Sequence, residues 1–441
     1  MGWAEAELRD IDLGDKRRDR RVIRLVERLA ERPTASIPGA CNGWSETQAA
    51  YRLLGAEGYD WLDILEPHRQ CTQARMATQA VVLCLQDTTE LDFNGQAIAG
   101  LGPLSYEAQR GMYLHPTYAV TPEREPLGVL DAWMWARAPK DADGNRPGIT
   151  ESVRWKEGYE RVAELAAELS ETRLVYVADR EADMLELMVR ACDLGHPADW
   201  LLRAKHNRAL PDGQRLWASV LATPLLGEVR FTLPAGRGRT AREVRQELSA
   251  QRVSLSDRRQ GQLDVTCLIA REIDAPPGVK PIEWRLLTNR RADTLEAAVE
   301  LIDWYRARWE IELLFLVLKE GCRVEALQLS TLERLERALM LFLVVSWRIA
   351  RLMRLGRTVP DLDAGLLLEP EEWQAAYILT KKPLPKQPPR LNEVLRLIAR
   401  LGGFLGRKGD GEPGVKTIWL GLQRVMDFAA GIRFAREAHN L

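Results

Sequence analysis

At 441 residues, with 46 % apolar and 28 % charged side chains, the chain is too long for one small core and too apolar to be disordered, so two to four packed units are expected. A formal charge of −1 argues against a uniformly basic protein, but charge is segregated: Lys16 to Arg32 holds eight Lys/Arg against three Asp/Glu, and Arg203 to Glu272 thirteen against seven. Such stretches can present positive surfaces to phosphate. The six cysteines are scattered without a C-x-x-C pair and the five histidines lie far apart, which gives little support to a disulfide scaffold, a zinc finger or a Ser-His-Asp triad. The N-terminus shows no basic-then-apolar leader and Leu339 to Val345 is too short to cross a membrane, so a reduced, cytoplasmic setting without membrane contact is expected.

Asp15 to Arg32 carries Ile23, Leu25, Val26 and Leu29 as an apolar stripe at helical spacing, and Pro33 stops it. Ser45 to Leu54 restarts helix after the turn pair Asn42-Gly43. Two short helices with a basic first element predict a small DNA-binding unit. No strand or acid considered below lies before residue 60, so deleting residues 1 to 60 is expected to leave a soluble core.

From Ala80 the pattern changes to β-branched runs. Val81 to Gln86 ends at Asp87; Leu174 to Ala178 ends at Asp179, after which Arg180-Glu181-Ala182-Asp183 opens a helix. Both runs read as strands buried on two faces, each with an acid at its C-terminal tip, where open α/β sheets place their chemistry. Tyr113 to Thr121, Leu127 to Trp135 and Trp200 to Ala204 are further strands. Residues 205 to 285 break the plan with short alternating runs, Glu228 to Leu233 and Leu263 to Ala270, and turns at Gly236 to Arg239, which predict an antiparallel β insertion. Thr294 to Lys319 returns to helix, one long or two with a break. Pro383 to Pro389 reads as a linker ahead of helices at Leu391 to Leu401 and Lys416 to Ala430.

Read as one helix at about 100° per residue, the stretch places Tyr305, Arg308, Glu312 and Lys319 on one narrow face, with Glu310 turned elsewhere. A salt-bridged surface helix accounts for that face; so does a site where a carboxylate binds a metal while flanking donors grip phosphates. Asp87 and Asp179 at strand ends, followed beyond a β insertion by Glu312 on a helix, have the layout of a ribonuclease-H-like nuclease core, whose carboxylates hold two divalent cations.

The segments Gln86-Asp87-Thr88-Thr89 and Asp179-Arg180-Glu181-Ala182-Asp183 and the Tyr305/Arg308/Glu312/Lys319 signature together resemble the cut-and-paste insertion-sequence transposases of the transposon-five type. Leu13-Gly14-Asp15-Lys16-Arg17-Arg18, Glu151-Ser152-x2-Trp155 and Trp200-x2-Arg203-x-Lys205 extend the resemblance over nearly the whole chain. It implies an α/β fold with a ribonuclease-H-like catalytic core at 71–358, the β insertion at about 205–285, a helical DNA-binding unit at 1–70 and a helical dimerisation unit at 359–441. Asp87, Asp179 and Glu312 would bind two Mg2+ ions, with Mn2+ able to substitute. Tyr305, Arg308, Lys319, Arg203 and Lys205 would contact DNA phosphates, and Lys16, Arg17 and Arg18 belong to the unit that reads the terminal repeat. Trp284 and Trp309 match positions associated with a flipped base, which relieves a DNA hairpin formed during excision. Implied partners are the terminal inverted repeats, target DNA and a second copy of the chain, on the bacterial nucleoid when DNA is bound. The rival readings are a non-catalytic regulator or inhibitor derived from a transposase, against which the intact acids argue, and a general metal-dependent nuclease. Leu316 departs from the family, which usually carries a basic residue there; it either faces DNA or packs in the core.

Overall fold

The computed structural model describes residues 2–148, 150–233, 240–256 and 261–439, so the turns expected at Gly236 to Arg239 lie outside the described residues. Five helices come first: α1 (Trp3–Glu7), α2 (Lys16–Glu31), α3 (Ile37–Ala40), α4 (Trp44–Leu54) and α5 (Trp61–Met76). Strands β1 (Val81–Gln86), β2 (Thr89–Asp92), β3 (Gly102–Pro103), β4 (Arg110–Val120) and β5 (Pro126–Trp135) follow. Next are α6 (Ser152–Glu168), β6 (Arg173–Ala178), α7 (Leu185–Asp193), β7 (Asp199–Arg203) and α8 (Leu216–Leu221). Strands β8 (Gly227–Leu233), β9 (Arg242–Ser256), β10 (Gln262–Ile273) and β11 (Glu283–Thr288) form the antiparallel segment. The chain ends in helices α9 (Leu295–Ala307), α10 (Trp309–Leu316), α11 (Leu332–Thr358), α12 (Pro370–Leu379), α13 (Leu391–Leu401) and α14 (Val415–His439). Among the described residues no helix is long and apolar enough to cross a membrane.

The elements pack as two compact units, one of Met1–Met76, Thr88–Gly148 and Glu310–Leu441, the other of Ala77–Asp87 and Ile149–Trp309. In the first unit α11 is the central post. It is buried almost without interruption from Leu335 to Gly356, and α2, α4, α5, α13, α14 and β5 pack around it. Its middle, Leu339 to Val345, is apolar on every side, while arginines and glutamates flank that stretch. Helix α2 begins where Asp15 accepts a bond from the Arg17 amide (2.8 Å), and its buried stripe is Val22, Leu25, Val26 and Leu29, with Ile23 half-buried. Helices α2 and α4 pack on α11, so deleting residues 1 to 60, which the sequence expects to leave a soluble core, would uncover part of α11.

A buried polar cluster ties α1 and α5 to β5. The His68 Nε2 accepts the Val129 amide (3.0 Å), so the ring proton is on Nδ1 and is donated to Glu7 (2.5 Å), while Arg75 grips the same carboxylate with two bonds of 2.9 Å. Burial by itself would raise the Glu7 carboxyl, but His68 and Arg75 outweigh it and hold it down at about 2. Burial drives the His68 ring the other way, toward the neutral form, against the pull of Glu7.

The second unit holds one seven-stranded sheet in the order β1-β6-β7-β11-β10-β9-β8. β1, β6 and β7 are mutually parallel and the remaining pairings are antiparallel. The β insertion is therefore a lateral continuation of the parallel strands, joined through β11 to β7. Strands β1 and β6 run in register from Val81↔Arg173 to Gln86↔Ala178. Behind them the buried Gln86 amide bonds the Tyr176 hydroxyl (2.8 Å), which also donates to the Trp155 carbonyl of α6 (3.0 Å).

The Glu7 carboxyl is depressed from 4.5, so its contribution is present above that pH and is lost as pH falls toward 2. The wild-type advantage over Glu7→Gln, on the order of 3 kcal/mol at neutral pH, should shrink steadily below pH 4.5 in urea unfolding. An advantage constant down to pH 3 would mean that the pairing contributes nothing through ionisation.

Candidate active site

Because β1 and β6 are parallel neighbours and Gln86 is paired with Ala178, the next residue of each strand, Asp87 and Asp179, emerges at the same edge of the sheet. Adjacent strands lie about 4.8 Å apart, so the two residues stand side by side at that edge. Asp179 accepts the Glu181 amide (2.7 Å) as the cap of a short 3-10 turn, Arg180–Ala182, and the expected helix begins only at Leu185. Asp87 is gripped by the Arg308 guanidinium; both side chains are largely withdrawn from water. A buried carboxylate needs such a countercharge.

The helix is interrupted at Arg308, whose side chain bonds Asp87. The Arg308 amide bonds the Tyr305 carbonyl (3.1 Å), a tightened i to i−3 turn that separates α9 from α10. A π turn, Val317–Gly321, then widens the path, closed by the Cys322 amide on the Val317 carbonyl (2.7 Å). The one continuous helix read from the sequence is thus interrupted twice. Tyr305 and Arg308 are buried, Trp309 is 62 % exposed, and Lys319 lies in the π turn, donating to the Glu90 carbonyl (2.8 Å) and paired with Glu325 (3.2 Å). Glu312 is exposed, whereas Glu310 is 3 % exposed and locked to Arg354. Burial raises the Glu310 carboxyl and Arg354 pulls it back. Leu316 is 43 % exposed and so does not fill the core.

The structure gathers several of the expected residues around the aspartates. Burial pushes the Tyr305 phenol up, against the pull of Arg308 and Arg203 nearby. Trp284 stacks on Phe231 (5.6 Å) and meets Tyr305 edge-on (6.4 Å), so part of its ring is already occupied. Arg203 ends β7, and Lys205 follows in a loop clamped by a residue that sequence reasoning treated only as the start of a helix. Asp183 is buried and accepts the Lys205 and His206 amides (2.6 and 2.9 Å) while pairing with Arg208 (2.6 Å). The available signal was its place four residues after Asp179. Among the described residues, no three His, Cys, Asp or Glu side chains cluster closely enough to hold a metal ion. In the N-terminal helices Lys16 and Arg17 are exposed, whereas Arg18 is used internally, donating to the Glu57 carbonyl (3.2 Å). Between α2 and α4 a cleft of about 390 Å³ is lined by Arg21, Arg24, Arg28, Asn42, Ser45 and Glu46.

Two aspartates at adjacent strand ends, one of them paired with Arg308, form the candidate site. Three family models match in chain order: Transposase DNA-binding over residues 1–58, Transposase DDE domain over 157–347 and Transposase Tn5 dimerisation domain over 344–440. The chain belongs to the DDE transposases of the Tn5 type. The DDE-domain match includes Asp179 and Glu312 and begins after Asp87. Among solved structures the chain is similar to a piggyBac transposase synaptic complex with hairpin DNA, at 10 % identity and a TM-score of 0.35 over 66 % of this chain. It spans about half of that protein, 51 %.

The two neighbouring glutamates should respond differently to loss of charge. Glu310→Gln leaves Arg354 without its buried partner and should cost about 3 to 5 kcal/mol in urea unfolding, while Glu312→Gln should stay within about 0.5 kcal/mol of wild type. Equal losses would contradict the separation of the two side chains. Leu316→Lys, at an exposed position, should leave the melting temperature unchanged.

Proposed function

We propose that this protein is a cut-and-paste DNA transposase acting through a ribonuclease-H-like core. The observation that carries the reading is the register of β1 and β6, which delivers Asp87 and Asp179 to one edge. The chain order supports the core: a parallel strand, an antiparallel hairpin, a helix, then two further parallel strands with a helix between them. Residues 1–70 would recognise the transposon ends, 71–358 would cut, and 359–441 would pair two copies of the chain; the matches to a DNA-binding and a dimerisation model support the outer two roles.

Carboxylate oxygens as donors suit hard divalent cations such as Mg2+ or Mn2+ better than a softer ion. Asp87, Asp179 and the exposed Glu312 would hold two such ions, which lower the pKa of bound water and polarise the phosphoryl group. Arg308 pairs with Asp87 and fixes that carboxylate in place. Arg203, Lys205 and Lys319 would hold phosphates next to the scissile bond, aligning it for in-line attack. Tyr305, buried between Trp284 and Arg308, would support both. The exposed indole of Trp309 offers a stacking face for a base displaced when the excised end closes into a hairpin; Trp284 would receive it on the face not covered by Phe231.

With duplex DNA taken from the regions flanking the coding sequence, wild-type protein should nick the strand in the presence of Mg2+. Asp87→Ala, Asp179→Ala and Glu312→Ala should each abolish nicking while end binding persists. Nicking retained by Glu312→Ala, with Glu310 intact, would overturn the assignment of that glutamate. Trp309→Ala should nick at the wild-type rate but slow hairpin formation or opening, since stacking is worth about 1 to 3 kcal/mol per base.

A further inference from the structure

A groove of about 710 Å³ in the second unit is lined by six cations, Arg180, Arg203, Lys205, Arg271, Lys280 and Arg285. Only Arg203 and Lys205 belong to the site described above. Two acids also line the groove, and each already has its arginine: Glu272 is bridged by Arg242, and Glu283 by Arg285. Arg285 lies over the Trp217 indole, 3.7 Å from the ring centroid, so its position is set from beneath as well as from the side. Among the described residues the other five cations have no ion pair. Like charges brought into one concave surface repel one another and focus positive potential there, a cost that a polyanion removes.

The placement gives the groove a direction. Arg180 follows Asp179 at the end of β6, Arg203 and Lys205 stand at the end of β7, Arg271 lies near the end of β10, and Lys280 sits in the loop before β11. The positive track therefore runs from the aspartate-bearing edge outward across the β insertion. We propose that this groove binds the sugar-phosphate backbone of DNA beyond the cleavage site, with Arg271 and Lys280 each taking a phosphate. The β insertion is then a DNA-binding surface in its own right. Taking DNA as the polyanion rests on the transposase reading.

Arg271 and Lys280 are both exposed, so substituting them should not disturb folding. Full-length wild type, Arg271→Ala/Lys280→Ala and the charge-preserving Arg271→Lys/Lys280→Arg are compared by anisotropy on a fluorescein-labelled duplex of random sequence, across a salt series without Mg2+. Loss of two phosphate contacts should flatten the slope of log K against log salt by about 1.8, and loss of one by about 0.9. A flattening of about 0.9 or more in the alanine variant, with the wild-type slope kept by the charge-preserving variant, is the expected result. A smaller change, or an equal loss in the charge-preserving variant, overturns the proposal. Because the assay reads binding without cleavage, a wild type that binds DNA but never cuts it would sink the proposed reaction and leave the groove standing. A protein that cuts ends while its alanine variant keeps the full slope would sink the groove alone.

Discussion

The site depends on one constraint, the in-register parallel pairing of β1 with β6. A slip of one residue would turn one aspartate to the opposite face of the sheet, because side chains alternate along a strand. The register is pinned from behind by polar groups that tolerate little movement. Gln86, immediately before Asp87, is fully buried and bonded to Tyr176, which in turn holds α6 through the Trp155 carbonyl. Gly158 of α6 makes this possible, since a Cβ there would fall 2.0 Å from the Gln86 amide. A helix, two strands and a buried amide thus combine to aim two carboxylates.

The same economy of charge runs through the surrounding structure. A buried ion is tolerated only with a partner, and the buried acids illustrate it: Glu7 with Arg75 and His68, Glu310 with Arg354, Asp183 with Arg208, Asp87 with Arg308. Glu312 differs in being exposed to solvent. Two glutamates of one short helix are therefore separated by environment into a structural group and a group accessible to a ligand. Arg308 is held by its carboxylate in the same way, a pairing that the reading of the sequence did not anticipate.

Helix α11 plays for the first unit the part that the strand register plays for the second. Packing the N-terminal helices, the C-terminal helices and β5 around one buried post joins segments that composition along the chain would separate. Such an arrangement makes the stability of the N-terminal helices a property of the whole unit.

What the sequence determined by itself was local. The β-branched runs ending in Asp87 and Asp179, the capped basic helix after Asp15, and the order of the acids were legible because burial on two faces, capping and helical period leave marks within a few residues. The resemblance to a transposase family was legible because those marks occur in a fixed order. What only the tertiary structure decided was which charges are buried and which elements are shared. The break at Arg308, the π turn at Lys319, the burial of Tyr305, the clamp at Asp183 and the cations of the β insertion all depend on partners distant in sequence. No period along the chain encodes a contact of that kind, and a helical wheel drawn through residues 305 to 319 assumed one continuous α-helix, which the turn at Arg308 and the π turn at Val317–Gly321 interrupt.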